Sequence, residues 1–234
     1  MAERSVKVWR VDLEASPPWD GELRAVLDED ELARADRFLH DSPRDEFLRS
    51  HFALRRVLAS QLGASPESLR FAATEKGKPY LTDPEQRDVD FNLSHSHGTA
   101  LIGVSTGGRI GVDVERRDVR NELEIARRWF APDEVRWLEG LDGSVRQRRF
   151  LECWTRKEAY LKAVAIGIAG GIERCVCTLG PDDELYCKIV DDEHSWRLIS
   201  LDRPDSPACA FVDFEPDQVE VEDFDWASAA KRLE

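Results

Sequence analysis

Period-two alternation predicts a first strand over residues 6–13, where Val6, Val8 and Arg10 alternate with Lys7, Trp9 and Val11. The run Ser16-Pro17-Pro18 ends it. Helical spacing then predicts helices over 30–39 and 45–62. The second carries Phe47, Phe52, Leu54 and Leu58 and is closed by Gly63 at its C′ position. Short strands are predicted at 71–73, 91–93 and 100–105. The turn Thr106-Gly107-Gly108-Arg109 leads into a strand in which Ile110, Val112 and Val114 alternate with Gly111, Asp113 and Glu115. Helices are predicted over 122–130, 132–141 (with Pro132 at its first position) and 146–165. Strands follow at 175–179, 185–190, 196–201 and 208–214, and the acidic tail after Asp217 is read as peripheral. Each half is thus helices plus antiparallel strands, an α+β chain with its change-over near residues 106–110.

Composition narrows the picture. With 234 residues, 41% of them hydrophobic, and seven Trp and ten Phe, the chain can bury a substantial core. The charged start MAERSVKVWRVDLE has no apolar stretch of a secretory signal, and no run is long and apolar enough to span a bilayer. The expected location is cytoplasmic. Cys153, Cys175, Cys177, Cys187 and Cys209 form no CxxC pair and are read as reduced and structural. The net charge of −14 argues against nucleic acid as a partner. Its distribution is uneven. Residues 109–162 carry 13 basic against 11 acidic side chains, and residues 163–234 carry 6 against 17. A locally basic centre on an acidic chain suits an anionic ligand.

Two segments combine these signals. Strand geometry points Asp113 and Glu115 the same way, about 7 Å apart, beside the bare backbone of Gly111. Farther along, the sequence Trp154-Thr155-Arg156-Lys157-Glu158-Ala159-Tyr160-Leu161-Lys162 places Glu158 in an apolar helical stripe of Phe150, Trp154, Leu161 and Ala165. A carboxylate there is costly unless paired or bound to a metal. Three acids that could converge, with lysines beside the third, point to Mg²⁺ and phosphate chemistry. Two plainer readings stand beside this one: a solvated strand face for Asp113 and Glu115, and an ordinary helix-surface pair for Glu158 and Lys162.

Taken in order, the segments resemble the 4′-phosphopantetheinyl transferases of the Sfp (surfactin-synthetase-activating) type. Gly111–Glu115 and Trp154–Lys162 are similar to the family's G-[IV]-D-[IVA]-E and W-x-x-K-E-[AS]-x-x-K motifs. Upstream, Glu75-Lys76-Gly77-Lys78-Pro79-Tyr80-Leu81 and Phe91-Asn92-Leu93-Ser94-His95-Ser96 resemble two further motifs, and RSHFALRR from Arg49 to Arg56 resembles a basic helix. The resemblance covers roughly residues 5–215. It implies the 4′-phosphopantetheinyl transferase fold, a pseudo-dimer of two similar α+β subdomains. An N-terminal one (1–107) would contact the CoA nucleotide, and a C-terminal one (108–234) would carry the metal site.

The implied reaction moves the 4′-phosphopantetheine arm of coenzyme A onto a serine of an apo acyl or peptidyl carrier protein and releases 3′,5′-ADP. The size implies a monomer, and no membrane partner is expected. By resemblance Asp113, Glu115 and Glu158 hold Mg²⁺, and Glu158 takes the serine proton directly or through water. Lys157 and Lys162 neutralise pyrophosphate oxygens, with Glu158 and Lys162 as the catalytic pair. Ser94, His95, Lys78 and Arg49 contact CoA, with Lys76 and Arg55 as weaker candidates. Ala165 replaces a glycine common in the family, and His97 receives no role. Two alternatives remain at this point: a non-catalytic binder of CoA or carrier, and a Mg²⁺-dependent hydrolase of nucleotide pyrophosphates. An arginine-rich stretch over 116–149, interleaved with Trp129, Phe130 and Trp137, has two readings: a carrier-docking patch, or core aromatics beneath a solvated arginine face.

Overall fold

The computed structural model describes residues 4–15, 20–116, 119–180, 183–190 and 192–230. In chain order the elements are β1 (Ser5–Asp12), α1 (Asp20–Val26), α2 (Glu29–Ala35), α3 (Asp41–Leu62), β2 (Phe71–Ala73), β3 (Pro79–Leu81), β4 (Val89–Ser96), β5 (Thr99–Thr106) and β6 (Ile110–Val114). They continue with α4 (Glu122–Trp129), α5 (Pro132–Glu139), α6 (Gly143–Val164), β7 (Cys175–Leu179), β8 (Leu185–Ile189), β9 (Arg197–Ser200), β10 (Ala208–Val212), β11 (Gln218–Asp223) and α7 (Trp226–Ala230). The mixed α+β architecture expected from the sequence is present.

Two sheets lie at the centre. The first has the order β11-β1-β5-β4 and the second β6-β10-β9, while β2–β3 and β7–β8 form separate hairpins. Strand alternation sets the layers. On β1, Trp9 and Val11 face Leu54 and Leu58 of α3, whereas Val6 and Val8 face Ile110, Val112 and Val114 of β6 and Ala210 of β10. The order through the molecule is therefore α3, first sheet, second sheet, α6, with the β7–β8 hairpin, α4 and α5 packed on α6.

The acidic tail is not peripheral. β11 pairs in parallel with β1, from Ser5 opposite Gln218 to Arg10 opposite Asp223, and the Trp226 indole donates to the Asp12 carbonyl at 2.9 Å. The alternating Gln218-Val219-Glu220-Val221 pattern is that of an edge strand with its side chains largely exposed. The C-terminal end of the chain thus completes the N-terminal sheet.

The helix expected over 30–39 stops at Ala35. Asp36 caps it, and Phe38 and Leu39, which extended the apolar pattern, remain exposed. Arg55 on α3 is fully buried and bonds Asp28 and Glu31 at 2.6 Å and the carbonyls of Pro66 and Leu69. It ties α2 to α3, and full burial with four of its five N–H donors engaged removes it from the CoA candidates. Among the described residues no helix is long and apolar enough to cross a membrane.

Candidate functional site

The two sheets meet where β4 runs alongside β6, and polar side chains at alternate positions of β4 join them. Asp90 accepts from the Ile110 amide at 2.8 Å, Asn92 from the Val112 amide at 2.9 Å, and the Ser96 hydroxyl from the Arg116 amide at 3.2 Å. Each contact spans 20 residues, so β4 satisfies with side chains the amides that a neighbouring strand would otherwise take with carbonyls. The sequence signal for this row is the alternation of Asp90, Asn92, Ser94 and Ser96 along β4.

The same row holds two of the acids. The Ser94 hydroxyl donates to Asp113 Oδ1 at 2.8 Å, and the Ser96 hydroxyl donates to Glu115 Oε2 at 3.1 Å. Asp113 is 4% exposed and Glu115 9%, so the solvated-face reading of this strand is excluded. Lys162 Nζ closes a triangle with 2.6 Å to Asp113 Oδ1 and 2.8 Å to Ser94 Oγ. Asp113 Oδ2 is buried and has no hydrogen-bond partner. An unsatisfied buried carboxylate oxygen is costly, and its presence marks a place where something else supplies the partner.

Gly111 brings α6 to this spot. A Cβ at position 111 would lie 2.0 Å from the Ala159 carbonyl oxygen and 2.4 Å from the Ala163 nitrogen, so only glycine permits the helix backbone to rest directly on β6. Lys78 fastens the junction: its Nζ bonds Asp90 at 2.5 Å, the Ile110 carbonyl at 3.1 Å and the Ala163 carbonyl at 3.4 Å. Its ammonium is therefore committed largely to protein, although the side chain still lines the adjoining cavity.

The apolar-stripe reading of α6 is corrected. From Phe150 to Ala163 most of the helix is buried, because sheet, hairpin and two helices surround it. Within that stretch the more open positions are Trp154, Glu158 and Lys162. Glu158 therefore stands on the open edge of a buried helix and not among core side chains. It lines a cavity of about 260 Å³ together with Lys76, Lys78, Asn92 and Lys162. A second cavity of about 400 Å³ shares Gly77, Pro79 and Leu93 with the first and continues past Arg34, His51, Phe71 and His95. Arg34 lies in no motif, and His51, inside the RSHFALRR stretch, receives no role from the sequence.

The remaining predicted residues separate. His95 lies in the larger cavity, 3.7 Å from Glu46. Partial burial lowers its pKa from the ordinary histidine value; the Glu46 carboxylate opposes this, and His51, Lys162 and Arg34 reinforce it. Arg49 donates to the Leu13 carbonyl at 2.5 Å and lines neither cavity. Lys157 is the clearest departure. It is 0% exposed, lies 2.9 Å from Glu134 and also donates to the Ile172 and Cys175 carbonyls. One position along a helix turns a side chain by about 100°, so Lys157 enters the interior beneath α5 and β7 while Glu158 faces the groove. Contrary to the expectation from the resemblance, Lys157 is held in the interior and does not line the groove.

In the stretch 116–149 the aromatics follow the core reading. Trp129, Phe130 and Trp137 belong to the core under α4 and α5. Arg127 pairs with Glu139, Arg136 with Asp133, Arg146 with Glu122, and Arg148 and Arg149 with Glu152. Arg117 lies outside the described residues.

The three acids are not drawn into one cluster: their oxygens do not all come within 4.8 Å of one another, and Lys162 occupies one side of Asp113. The chemistry of the donor set nevertheless suits a hard cation, with buried carboxylates, an unsatisfied oxygen and hydroxyls that hold the acids in place.

Comparison with known proteins bears on the whole arrangement. Residues 16–106 match the family described as 4′-phosphopantetheinyl transferase, N-terminal, and residues 109–212 match the 4′-phosphopantetheinyl transferase superfamily. The chain is 41% identical over 182 residues to slr0495 of Synechocystis sp., covering 76% of this chain and 72% of that one. It is 36% identical over 209 residues to the 4′-phosphopantetheinyl transferase HetI of Nostoc sp., covering 88% and 86%. To the 4′-phosphopantetheinyl transferase Sfp of Bacillus subtilis it is 29% identical over 159 residues, covering 68% and 69%. The two matched regions meet where β5 hands over to β6, and the chain belongs to the 4′-phosphopantetheinyl transferase superfamily.

Proposed function

We propose that the groove between α6 and the β4–β6 junction is the active site of an Sfp-type transferase. The enzyme moves the 4′-phosphopantetheine arm of coenzyme A onto a serine hydroxyl of an apo acyl or peptidyl carrier protein and releases 3′,5′-ADP. The observation that carries the site assignment is the triangle of Ser94, Asp113 and Lys162, with an unsatisfied Asp113 oxygen, next to a cavity edged by Glu158. We place the enzyme in the cytoplasm as a monomer, with subdomains 1–107 and 108–234 and the terminal β11–α7 segment packed on the first of them.

The chemistry is attack of a hydroxyl on a pyrophosphate phosphorus, in which positioning and charge neutralisation do most of the work. Asp113, Glu115 and Glu158 would hold Mg²⁺, which when bound supplies positive charge to phosphate oxygens. The serines of β4 orient Asp113 and Glu115 by donating hydrogen bonds to them. Lys162, a compact cation beside the cavity, would move from Asp113 toward a phosphate oxygen as the ligand enters. Glu158 borders the cavity and would take the serine proton, directly or through water. The larger cavity, with His95, His51 and Arg34, offers a place for the nucleotide end of CoA.

Incubation with CoA, Mg²⁺ and an apo carrier, followed by intact mass measurement of the carrier, tests this reading. A transferase adds the arm to the carrier, a binding relative leaves carrier and CoA unchanged, and a hydrolase consumes CoA alone.

A further inference from the structure

On another face of α6, away from the groove, the β7–β8 hairpin gathers three thiols. The strand register sets Cys177 directly across from Cys187, with their sulfurs 3.4 Å apart. Cys175 lies two residues before Cys177 and so on the same strand face. The three sulfurs all fall within 4.8 Å of one another. None of the five cysteines is in a disulfide. The Cys153, Cys175 and Cys187 thiols hydrogen-bond to Cys177 and pull its pKa well down, and the Lys157 ammonium adds to this. The hydrogen bonds to Cys177 and burial push Cys175 up. At Cys187 a hydrogen bond to Cys175 pulls down, but the bond to Cys177 and burial outweigh it and the Arg156 guanidinium opposes only in part, so Cys187 is raised as well. Cys175 and Cys177 are buried, and half-buried Cys187 gives a route in from solvent.

We propose that Cys175, Cys177 and Cys187 form a three-thiolate site for a soft, thiophilic monovalent metal ion of the Cu(I) class. Soft sulfur donors select such an ion over Mg²⁺ or Ca²⁺, which require oxygen ligands. Zn²⁺ at a structural site takes four ligands, and among the described residues no carboxylate or imidazole joins the three sulfurs at ligand spacing. Three converging sulfurs suit a trigonal ion instead. Binding replaces thiol protons by metal–sulfur bonds and releases those protons to solvent, with no change of oxidation state. The ion would staple β7 to β8 behind the helix that carries Glu158 and Lys162, so this site is separate from the transferase groove.

The test is titration of the reduced full-length chain with Cu(I) in the absence of oxygen, against a chromophoric Cu(I) chelator, with circular dichroism as a folding control. One Cu(I) per chain is expected, accompanied by sulfur-to-copper charge-transfer absorption. Cys187→Ser, a near-isosteric change at the half-buried position, should weaken binding about a hundredfold in a folded protein, as should Cys175→Ser. Cys209→Ser should bind as the wild type does, because that sulfur donates to the Thr155 carbonyl instead. No stoichiometric binding, an unchanged affinity in folded Cys187→Ser, or Zn²⁺ bound as tightly as Cu(I) would each overturn the proposal. The readout is metal binding, so its failure leaves the transferase reading untouched.

Discussion

Replacing Gly111 by alanine tests how the site is assembled. The added methyl would meet the Ala159 carbonyl oxygen at 2.0 Å, the Ala163 nitrogen at 2.4 Å and the Ala163 Cα at 3.0 Å. These are backbone atoms of a helix held from several sides, so no side-chain rotation relieves the clash, and Ala163→Gly in the same chain gives no rescue. α6 must retreat from β6 by at least about 1 Å. Overpacking of this kind costs about 1–3 kcal/mol, toward the upper end where backbone is hit. The retreat also stretches the 2.6 Å contact between Lys162 and Asp113 and shifts Glu158 along the cavity. Misplacement by about 1 Å costs on the order of a hundredfold in rate. Chemical denaturation measured beside single-turnover transfer should therefore show Gly111→Ala folded, less stable by about 2–3 kcal/mol and about a hundredfold slower. A folded Gly111→Ala protein with unchanged stability and a rate within a few-fold of wild type would refute the close-approach argument.

Lys157→Met strands the buried Glu134 carboxylate and should cost about 3–5 kcal/mol in a denaturation experiment. CoA affinity of the folded variant should move little, and a large loss of affinity at unchanged stability would return Lys157 to the ligand site. Stability should also fall in alkali. Burial alone would lower the Lys157 pKa, but the Cys177 sulfur, Glu134 and the Cys175 sulfur together raise it. Burial pushes the Glu134 carboxyl up as well, against the pull of Lys157, yet the charged pair is the state the geometry supports. The ammonium has Glu134 and two carbonyls as acceptors, and Glu134 also accepts from the Cys177 amide at 2.7 Å. A lysine pKa raised on folding contributes stability that is complete below the ordinary value of about 10.4 and is lost as pH climbs through the folded-state pKa. Wild type should therefore lose stability in that window, and Lys157→Met should not show that loss. Ala165 holds the left-handed conformation at the end of α6 (φ 57°, ψ 42°), so Ala165→Gly should gain up to about 1 kcal/mol, read as a higher Tm. A drop in Tm would mean that the methyl packs usefully.

Much of this arrangement was legible in the sequence, and the failures have physical causes. Strand alternation placed Asp113 and Glu115 on one side with Gly111, and helical spacing brought Glu158 and Lys162 together. Periodicity cannot say which face of an element is covered when everything around it packs, so the open edge of α6 was read as its core face. Lys157 failed for a related reason: its neighbour Glu158 faces the groove, and only the tertiary packing of α5 and β7 reveals that position 157 points inward at Glu134. The arginines of 116–149 looked like a free basic patch because partners such as Glu139 and Glu152 are matched to them only by folding. β11 was missed because an edge strand at the far end of the chain depends on β1, more than 200 residues earlier in the sequence. Arg34 and His51 enter the larger cavity only through the packing of α2 on α3.

The most direct measurement follows carrier mass in parallel reactions of wild type, Glu158→Gln, Asp113→Asn and Lys157→Met with CoA, Mg²⁺ and an apo carrier, each at a temperature where circular dichroism shows the protein folded. The groove assignment predicts that wild type adds the phosphopantetheine arm and that Lys157→Met retains this ability. It also predicts that Glu158→Gln and Asp113→Asn lose it by at least about a hundredfold while still folded. Near-wild-type transfer by folded Glu158→Gln and Asp113→Asn, with the loss falling on Lys157→Met instead, would place the chemistry elsewhere on the chain.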